Sequence, residues 1–294
     1  MSKEKLIDLH FHSYYSDGLY SPKELARKAE KLGLKIISLT DHNGIDGVEE
    51  MNYWAKKFGL KNIPGVEIYT FFKKFHLHLL GYNFDPKNKK LNKLLNDLQN
   101  KKRETIKKSI KILRKQGWKI DEMKVFSTPA VYYVGIDKLA EALIKENFKR
   151  VVRDFKKGPI LLTEVIGRYF FIKGRSICPE AEVGIGKAIK IIHQAGGKAV
   201  LAHPSQQLSW KDLGVIKELK RKGLDGLEVL SSHHRWSDII YWQKVAHKFN
   251  LFPTIGSDFH GELPNKWFFI RSPWDYLKFP PFSIKELNKF LRIK

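Results

Sequence analysis

Cysteine is almost absent from this sequence of 294 residues, in which Cys178 is the single example. A lone thiol excludes an internal disulfide framework, and it excludes every zinc or iron–sulfur site that needs several thiolates. Any metal ion held by the chain must therefore take imidazole and carboxylate ligands. The 11 histidines keep such a site open.

Long apolar runs are also missing. No segment reaches about 18 consecutive apolar residues, the length that crosses a bilayer. The start, Met1 to Lys5 followed by Leu6-Ile7-Asp8, lacks the apolar core of a secretory signal. A composition of 43% hydrophobic and 13% aromatic residues is sufficient for a folded core. The sequence therefore predicts a folded, cytoplasmic protein of one large domain or two modest ones.

Acidic residues are scarce relative to basic ones, with 31 Asp and Glu against 54 Lys and Arg and a formal charge of +23. Such an excess is typical of proteins with an anionic partner, such as nucleic acid, a nucleotide, a phosphorylated metabolite or a membrane surface. Composition alone leaves a second explanation open, in which the lysines serve solubility or reflect the source organism. The charge is concentrated: residues 86–158 carry 21 Lys and Arg against 8 Asp and Glu, a net charge of +13.

Short apolar runs alternate with amphipathic segments along most of the chain. Ser21, Pro22 and Glu24 form the capping signature of a helix that ends at Gly33. The run 36–40 that follows is typical of a strand buried on both faces. The same criteria predict helices over 47–58, 182–195, 210–222 and 237–249, and strands over 198–202, 224–230 and 252–255. Repeated strand–helix units predict an α/β fold with parallel strands, and their number indicates a barrel.

The segment 86–180 interrupts this alternation. Apolar residues spaced by three and four predict a long basic helix over 91–113 and a second helix over 136–144. We therefore predict a discontinuous barrel made of residues 1–85 and 181–294, with a basic, mainly helical insertion as a cap. A basic cap over a metal pocket would concentrate polyanionic substrates there.

Histidine and acidic residues stand where the predicted strands end. In a parallel barrel these carboxyl ends share one face, where active sites are built. His10 and His12 are two residues apart, so on a strand their side chains point the same way and can hold one ion. A lone histidine at a strand end is more often structural, but a cluster of this density predicts a metal site, and nitrogen and oxygen ligands suit Zn, Mn or Fe. Its members are His10, His12, Asp41, His42, Glu67, His78, His203, Asp258 and His260.

Short motifs over residues 6–84 and 182–262 resemble the PHP (polymerase and histidinol phosphatase) superfamily of metal-dependent phosphoesterases in order and spacing. They are Asp8-Leu-His10-Phe-His12-Ser13, Ser16-Asp17-Gly18, Thr40-Asp41-His42-Asn43, Gly65-Val-Glu67-Ile, His78-Leu-Leu-Gly81-Tyr, Ala202-His203-Pro204 and Ser257-Asp258-Phe-His260-Gly261. The segments 14–18 and 21–25, with the inserted helices, resemble the branch that hydrolyses nucleoside 3′,5′-bisphosphates and trims RNA or oligonucleotides from the 5′ end.

This resemblance implies a distorted (β/α)7 barrel around a trinuclear centre, and we expect two or three divalent ions of Mn, Fe or Zn. It assigns His10, His12, Glu67 and Asp258 to the first ion, Glu67, His78 and His203 to the second, and Asp17, His42 and His260 to the third. Two positions depart from the family pattern. Asn43 stands where Asp is frequent, which changes only the bonding around the ligands. Residues 135–138 read Gly-Ile-Asp-Lys instead of an Arg-Pro-His-like stretch, which leaves the substrate open.

Further residues have predicted roles in the reaction. A bound ion lowers the pKa of its water to about 7, so that hydroxide can attack phosphorus at neutral pH. Asp41 is expected to orient a ligand or the third ion, and His234 to bind phosphate or protonate the leaving oxygen. His233 points elsewhere if its segment is extended. The residues expected to contact substrate are Arg150, Arg153, Arg175, His233 and Arg235.

Aromatic residues of the insertion have two explanations. They could stack on a nucleobase, or they could form the core of a small inserted domain. These residues are Tyr132, Tyr133, Tyr169, Phe170 and Phe171.

The sequence thus predicts a metal-dependent phosphoesterase acting on nucleoside 3′,5′-bisphosphates or on the 5′ ends of short single-stranded RNA. Neither a membrane nor an obligate protein partner is expected. Two alternatives stay open. One is a phosphatase of a small metabolite such as histidinol phosphate, for which the basic insertion is unexplained. The other is a non-catalytic nucleic-acid-binding module with a structural metal centre.

Overall fold

The computed structural model describes residues 6–127, 133–155, 160–261 and 282–292. Its strands are β1 (Leu6–Phe11), β2 (Leu34–Leu39), β3 (Lys61–Asn62), β4 (Gly65–Phe72), β5 (Phe75–Tyr82), β6 (Phe171–Ile172), β7 (Arg175–Ser176), β8 (Val183–Gly184), β9 (Lys198–Leu201), β10 (Gly226–Ser231) and β11 (Phe252–Gly256). Its α-helices are α1 (Pro22–Lys31), α2 (Val48–Lys57), α3 (Lys89–Lys115), α4 (Glu122–Phe126), α5 (Ile136–Glu146), α6 (Phe148–Phe155), α7 (Leu162–Tyr169), α8 (Ile185–Gln194), α9 (Leu213–Arg221), α10 (Trp236–Lys248) and α11 (Ile284–Leu291). Two 3₁₀ helices cover Pro204–Gln206 and Trp210–Asp212. No described helix combines the length and apolarity needed to cross a bilayer.

The predicted strand and helix order is confirmed. At α1 the capping box forms: Glu24 N donates to Ser21 Oγ over 3.2 Å, and Ser21 N donates to the Glu24 carboxylate over 2.8 Å. Both apolar stripes of the segment 86–180 are helical, as α3 and α5. The segment 210–222 divides into the second 3₁₀ helix and α9.

Most of the strands form two sheets. One is parallel with the order β1-β2-β3, and the other is mixed with the order β11-β10-β9-β5-β4-β8. The prediction of parallel strands is wrong for β5, which is antiparallel to both β4 and β9. The reason is local, because the two-residue turn Lys73-Lys74 reverses the chain directly after β4. As a result the first half of β5, which carries His78, lies at the edge where the parallel strands end.

Backbone hydrogen bonds connect the two sheets just beyond the carboxyl ends of β1 and β2. Beyond β1, His12 N donates to Phe259 O over 2.9 Å and Asp258 N donates to His10 O over 2.7 Å. Beyond β2, Asn43 N donates to Glu67 O over 2.7 Å, next to an isolated parallel bridge between His42 and Glu67. The predicted ligands therefore lie where the two sheets meet.

The described residues form two separate apolar cores. The larger one covers the two sheets and α1, α2, α8, α9 and α10, and the first half of α3 packs into it through Leu91, Leu94 and Leu98. The smaller one joins the second half of α3 to α5, α6 and α7. Phe170 is buried in this smaller core and Tyr169 packs beside it, whereas Phe171 is exposed. Tyr132 lies outside the described residues.

Candidate metal centre

His10 in β1 and His12 directly after it are the starting point of the centre. His10 and His12 point to the same face, as their spacing of two predicts. Their Nε2 atoms lie 3.2 Å apart, and neither residue is exposed to solvent. Two protonated imidazoles at this distance repel each other, so the pair needs a shared partner of opposite charge.

Carboxylate oxygens from β4 and from the segment after β11 face this pair. Oε2 of Glu67 lies 3.2 Å from the Nε2 atoms of both His10 and His12. Oδ1 of Asp258 lies 3.1 Å from the same two nitrogens. Four donors around a tetrahedral ion with bonds near 2.0–2.1 Å would lie about 3.3 Å from one another. The spacing of these atoms therefore fits one divalent ion.

Glu67 also faces a second set of histidines. Its Oε1 lies 3.0 Å from Nδ1 of His78 and 3.1 Å from Nε2 of His203. Its Oε2 lies 3.1 Å from Nδ1 of His42. One fully buried carboxylate is thus shared between five imidazoles, counting the pair on β1. This is the arrangement that a bridging ligand requires.

The carboxylate of Asp17 faces a third set of imidazole nitrogens. Its Oδ1 lies 3.2 Å from Nε2 of His260 and 3.8 Å from Nδ1 of His12. Its Oδ2 lies 3.8 Å from Nε2 of His42, so the two nitrogens of His42 face Glu67 and Asp17 respectively. The ligand atoms of His12, Asp17, His42 and His260 all lie within 4.8 Å of one another. The structure therefore brings together all nine residues that the sequence proposed as ligands.

Burial and charge act in opposite directions on these groups. Burial raises the pKa of Glu67 and of Asp258, but the facing histidines outweigh it and hold both pKa values well below the usual range. Burial lowers the pKa of His12, whereas Asp258 and Glu67 raise it to about 10. Burial prevails at His42 and lowers its pKa to about 3. Ionised carboxylates beside a neutral imidazole form a donor set that suits a divalent cation, which would displace the proton held by His12.

Buried polar atoms without hydrogen bonds indicate whether a cation fits between the ligand sets. Nδ1 of His42, Oε2 of Glu67 and Oδ1 of Asp258 are buried and make no hydrogen bond with any described residue. An orphaned buried polar atom is costly, and native proteins rarely retain one without a function. All three atoms point into the space that the ligand sets surround, so a bound cation would satisfy them together.

The backbone is strained at the same place. His203, Asp258 and Asn43 have φ angles of 21°, 53° and 50°, a region that non-glycine residues seldom occupy. Asn43 also explains one departure from the family pattern. Its side chain accepts a hydrogen bond from Tyr69 N over 3.1 Å and donates one to Ala181 O over 3.2 Å. An ionised aspartate could not make the second bond.

Glu228 is a functional residue that the sequence analysis did not identify. It contacts two of the ligands on the side away from the predicted ions. It lies fully buried in β10, where its Oε1 is 2.9 Å from Nδ1 of His10 and its Oε2 accepts a hydrogen bond of 2.8 Å from His203 N. It therefore fixes the orientation of two ligands. Gly256 makes room for it, because a Cβ there would meet Glu228 Oε1 at 2.5 Å and His10 Cβ at 2.2 Å. The signal in the sequence is an acidic residue inside an otherwise apolar strand.

We expect Glu228→Gln to weaken metal binding by about 10- to 100-fold, the usual effect of removing a group that orients a ligand. The amide retains the bond from His10 but presents an NH₂ group to His203 N, which has no acceptor to offer. Competition with a chelator measures the affinity. Glu104→Gln, at an exposed site on α3, is the matched control. Equal affinities of the two variants would contradict the role of Glu228.

Asp41 organises the loop that carries Asp17. It accepts hydrogen bonds of 2.8 Å from both Ser13 N and Ser13 Oγ, and one of 2.7 Å from Ser16 Oγ. Ser16 Oγ also lies 3.4 Å from Nδ1 of His12. Asp41 therefore acts on the ligands through two serines. The orienting role of Asp41 stays a prediction.

Comparison with known proteins places this centre in a family. The sequence pattern of the PHP domain matches residues 8–153. A 5′-3′ exoribonuclease of Haemophilus influenzae is 31% identical over 87% of this chain and 90% of its own length. The chain belongs to the PHP domain family. This confirms the resemblance that the motifs indicated.

Two further proteins are similar to this chain over most of its length. A 3′,5′-nucleoside bisphosphate phosphatase of Chromobacterium violaceum is 26% identical over 86% of this chain and 87% of its own length. A solved structure from Bifidobacterium adolescentis, of a protein predicted to be a metal-dependent phosphoesterase, superimposes with a TM-score of 0.78. At 22% identity over 98% of this chain and 96% of that one, it shows a shared α/β fold.

The two histidines after β10 lie differently from the sequence expectation. Residues 232 and 233 form a turn, so the extended segment that would direct His233 away from the centre does not occur. Its Nε2 lies 2.6 Å from Oδ2 of Asp258. His234 is buried, with Nδ1 donating to Val229 O over 2.8 Å and Nε2 accepting from Ser205 N over 3.4 Å. Both nitrogens of His234 are thus engaged in joining β10 to the loop after β9.

Of the four arginines expected to contact substrate in this PHP protein, two have local side-chain partners and two are exposed. Arg150 stacks on Trp118, with 3.6 Å from Cζ to the ring centroid, and donates to Gly117 O. Arg153 lies 3.6 Å from Asp154. Arg175 in β7 and Arg235 before α10 are exposed. None of the four bonds to a predicted ligand among the described residues, so their contact with substrate stays a prediction.

A buried polar chain connects α3 to the centre. The ring of Tyr69 stacks on His42 with 4.4 Å between centroids, and the ring centroid of Tyr133 lies 6.1 Å from that of His42. The hydroxyl of Tyr133 donates to Oε2 of Glu180 over 3.1 Å. The ammonium group of Lys102, fully buried in α3, donates to Oε1 of the same carboxylate. Burial, reinforced by the charge of Glu180, raises the pKa of both tyrosines well above the usual range, so their hydroxyls stay protonated.

Proposed function

We propose that this chain is a metal-dependent phosphoesterase that hydrolyses phosphate esters of nucleotides, either nucleoside 3′,5′-bisphosphates or the 5′ ends of short single-stranded RNA. The observation that carries the proposal is Glu67, a buried carboxylate shared between five imidazoles. Relatives named an exoribonuclease and a bisphosphate phosphatase support the substrate class. The charge of +13 over residues 86–158 supports an anionic substrate.

Three sets of residues would hold the ions, two or three in number. His10, His12, Glu67 and Asp258 form the first set, Glu67, His78 and His203 the second, and Asp17, His42 and His260 the third. Divalent ions bound there lower the pKa of water and neutralise phosphoryl oxygens. Mn, Fe and Zn all accept this nitrogen and oxygen donor set.

The side chains of the centre also define where substrate enters. His78, His233, Asp17 and His260 remain 21–26% exposed, whereas the other ligands are almost fully buried. The phosphate group would therefore approach from this edge. His233 donates from Nε2 to Oδ2 of Asp258, which leaves Oδ1 directed at the pair on β1. We assign it the role of positioning this ligand.

The finer architecture belongs to the same proposal. We infer that seven strands close a distorted barrel in the order β1-β2-β4-β5-β9-β10-β11, supported by the backbone bonds between His42 and Glu67 and between Phe11 and Phe259. Residues 86–180 would form the basic, mainly helical insertion, with the smaller apolar core as support. The division into 1–85 with 181–294 then leaves the first half of α3 packed on the barrel. A cytoplasmic location stays a prediction of the sequence.

Mn-loaded protein should release phosphate from adenosine 3′,5′-bisphosphate or mononucleotides from 5′-phosphorylated RNA, and a chelator should abolish both reactions. Elemental analysis of the same sample gives the number of ions bound per chain. Histidinol phosphate serves as the comparison substrate. Turnover of histidinol phosphate alone would replace the nucleotide assignment by the metabolite alternative. Full metal occupancy without turnover of any substrate would favour the binding module.

A further inference from the structure

A groove leads away from the metal centre along the amino-terminal half of β5. It has a volume of about 630 Å³, within the range of about 300–1,000 Å³ that is usual for small-molecule sites. One wall is the hairpin of β4 and β5, and the other is the loop that contains the first 3₁₀ helix. The lining residues are Lys74, Phe75, His76, His78, Gln206 and Gln207.

The hairpin extends beyond the edge where the ligands lie. Glu67 is level with His42 at the end of β2, but β4 continues to Phe72 before the turn. Five further residues of strand correspond to about 16 Å. The hairpin therefore stands above the centre and supplies a wall that a substrate longer than one nucleotide would meet.

The floor of the groove is bonded to the ligands. Gln207 lies 3.2 Å from Nδ1 of His203 through its Nε2 and accepts a hydrogen bond of 3.5 Å from His78 N. Gln206 lies 2.6 Å from Nδ1 of His233. His78 itself belongs both to the groove and to the second ligand set. The groove is thus continuous with the centre at its open edge.

The tip of the hairpin offers a positive charge and an aromatic ring. Lys74 forms no ion pair with any described residue, whereas the neighbouring Lys73 is paired with Glu218 at 2.6 Å. The ammonium group of Lys74 lies 5.3 Å from the ring centroid of the partly exposed Phe75. An ammonium group beside an aromatic ring is the combination that binds a single-stranded nucleotide, through its phosphate and its base. Lys74 also contributes to lowering the pKa of Asp212, so a bound phosphate would share its charge with that carboxylate.

We propose that this groove binds the nucleotide on the 3′ side of the scissile phosphate in a single-stranded oligonucleotide. The assignment rests on the proposed function and extends it, because it makes a polymer the substrate that fills the whole site. Lys74 binds the phosphate on the 3′ side of this nucleotide, one position beyond the scissile phosphate, and Phe75 contacts its base. A nucleoside 3′,5′-bisphosphate has no second nucleoside and leaves the groove empty.

Binding of a fluorescent 5′-phosphorylated RNA trinucleotide to the metal-free protein tests the groove without any turnover. Phe75→Leu retains an apolar side chain against the core and removes the ring, and Lys74→Ala removes the charge. Each should weaken binding about tenfold, in the range that stacking and phosphate contacts contribute. Phe72→Leu and Lys73→Ala, at the same turn but outside the lining, are the matched controls and should bind as the unaltered protein does. Equal binding of the trinucleotide by all four variants would contradict the proposal that this groove binds a nucleotide.

Kinetics with Mn-loaded protein separate this proposal from the proposed function. Phe75→Leu and Lys74→Ala should raise KM for the trinucleotide about tenfold and leave KM for adenosine 3′,5′-bisphosphate within twofold. Equal effects on both substrates would contradict the assignment of the groove as a nucleotide-binding site. Turnover of the bisphosphate alone by the unaltered protein would contradict it as well. Neither result would contradict the proposed phosphoesterase activity. If the unaltered protein turned over neither substrate, the proposed function would fail, and the binding measurement would still decide the groove.

Discussion

Glu67→Gln should lower kcat/KM for a nucleoside 3′,5′-bisphosphate by at least about 10³-fold, the loss seen when a main electrostatic contributor is removed from an active site. The reason is that both oxygens of Glu67 face histidines, three around Oε2 and two around Oε1. An uncharged amide offers one acceptor and cannot join two ligand sets. Elemental analysis should show fewer ions per chain in the same preparation.

Glu104→Gln is the control for this experiment. Glu104 lies on α3 with 61% of its side chain exposed, and it is paired with Lys107 one turn away. The same chemical change there should alter neither metal content nor turnover. Circular dichroism of both variants would show whether the fold is retained. A Glu67→Gln protein with full metal content and normal turnover would contradict the assignment of Glu67 as the shared ligand.

Glu180→Met should lower the free energy of unfolding by up to about 3 kcal/mol, the lower end of the range for leaving a buried charge without its partner, because Lys102 is buried whereas Glu180 is 25% exposed. The variant leaves the ammonium group of Lys102, which is 1% exposed, with Pro179 O at 3.4 Å as its remaining partner. Tyr133 loses its acceptor at the same time. Urea denaturation followed by tryptophan fluorescence measures the change.

A double variant and a surface pair make this result specific. Lys102→Met together with Glu180→Met removes both charges, so it should recover most of the lost stability. Asp97→Asn breaks the exposed pair with Lys93 on the same helix and should change stability by less than about 0.5 kcal/mol. If Glu180→Met were as stable as Asp97→Asn, this would contradict the view that the Lys102–Glu180 pair anchors α3 beside the centre.

The ligands were predictable because their signal is local. His10 and His12 are two residues apart on one strand, and pleating alone directs both side chains to one face. Asp258 follows an apolar run, which predicts a place at the edge of a sheet. The helix α1 could be predicted for the same reason, since its capping box is a contact between residues three positions apart.

Other features could not be predicted because they depend on contacts between distant residues. The turn that reverses β5 is local, but its pairing with β9 joins residues more than 100 positions apart. Glu228 gains its role only by meeting His10, which is 218 positions away. The place of His233 depends on a turn, and the turn depends on how β10 packs beside β11.

By itself the sequence determined the α/β class, the order of the helices and strands, and the set of imidazole and carboxylate groups available for a metal. Only the tertiary structure decided that both oxygens of Glu67 face imidazoles, that the buried ammonium group of Lys102 pairs with Glu180, and that a groove continues from His78. The physical reason is that periodicity and capping act over a few residues. Burial, electrostatic coupling and enclosed volume arise only when separate segments come together.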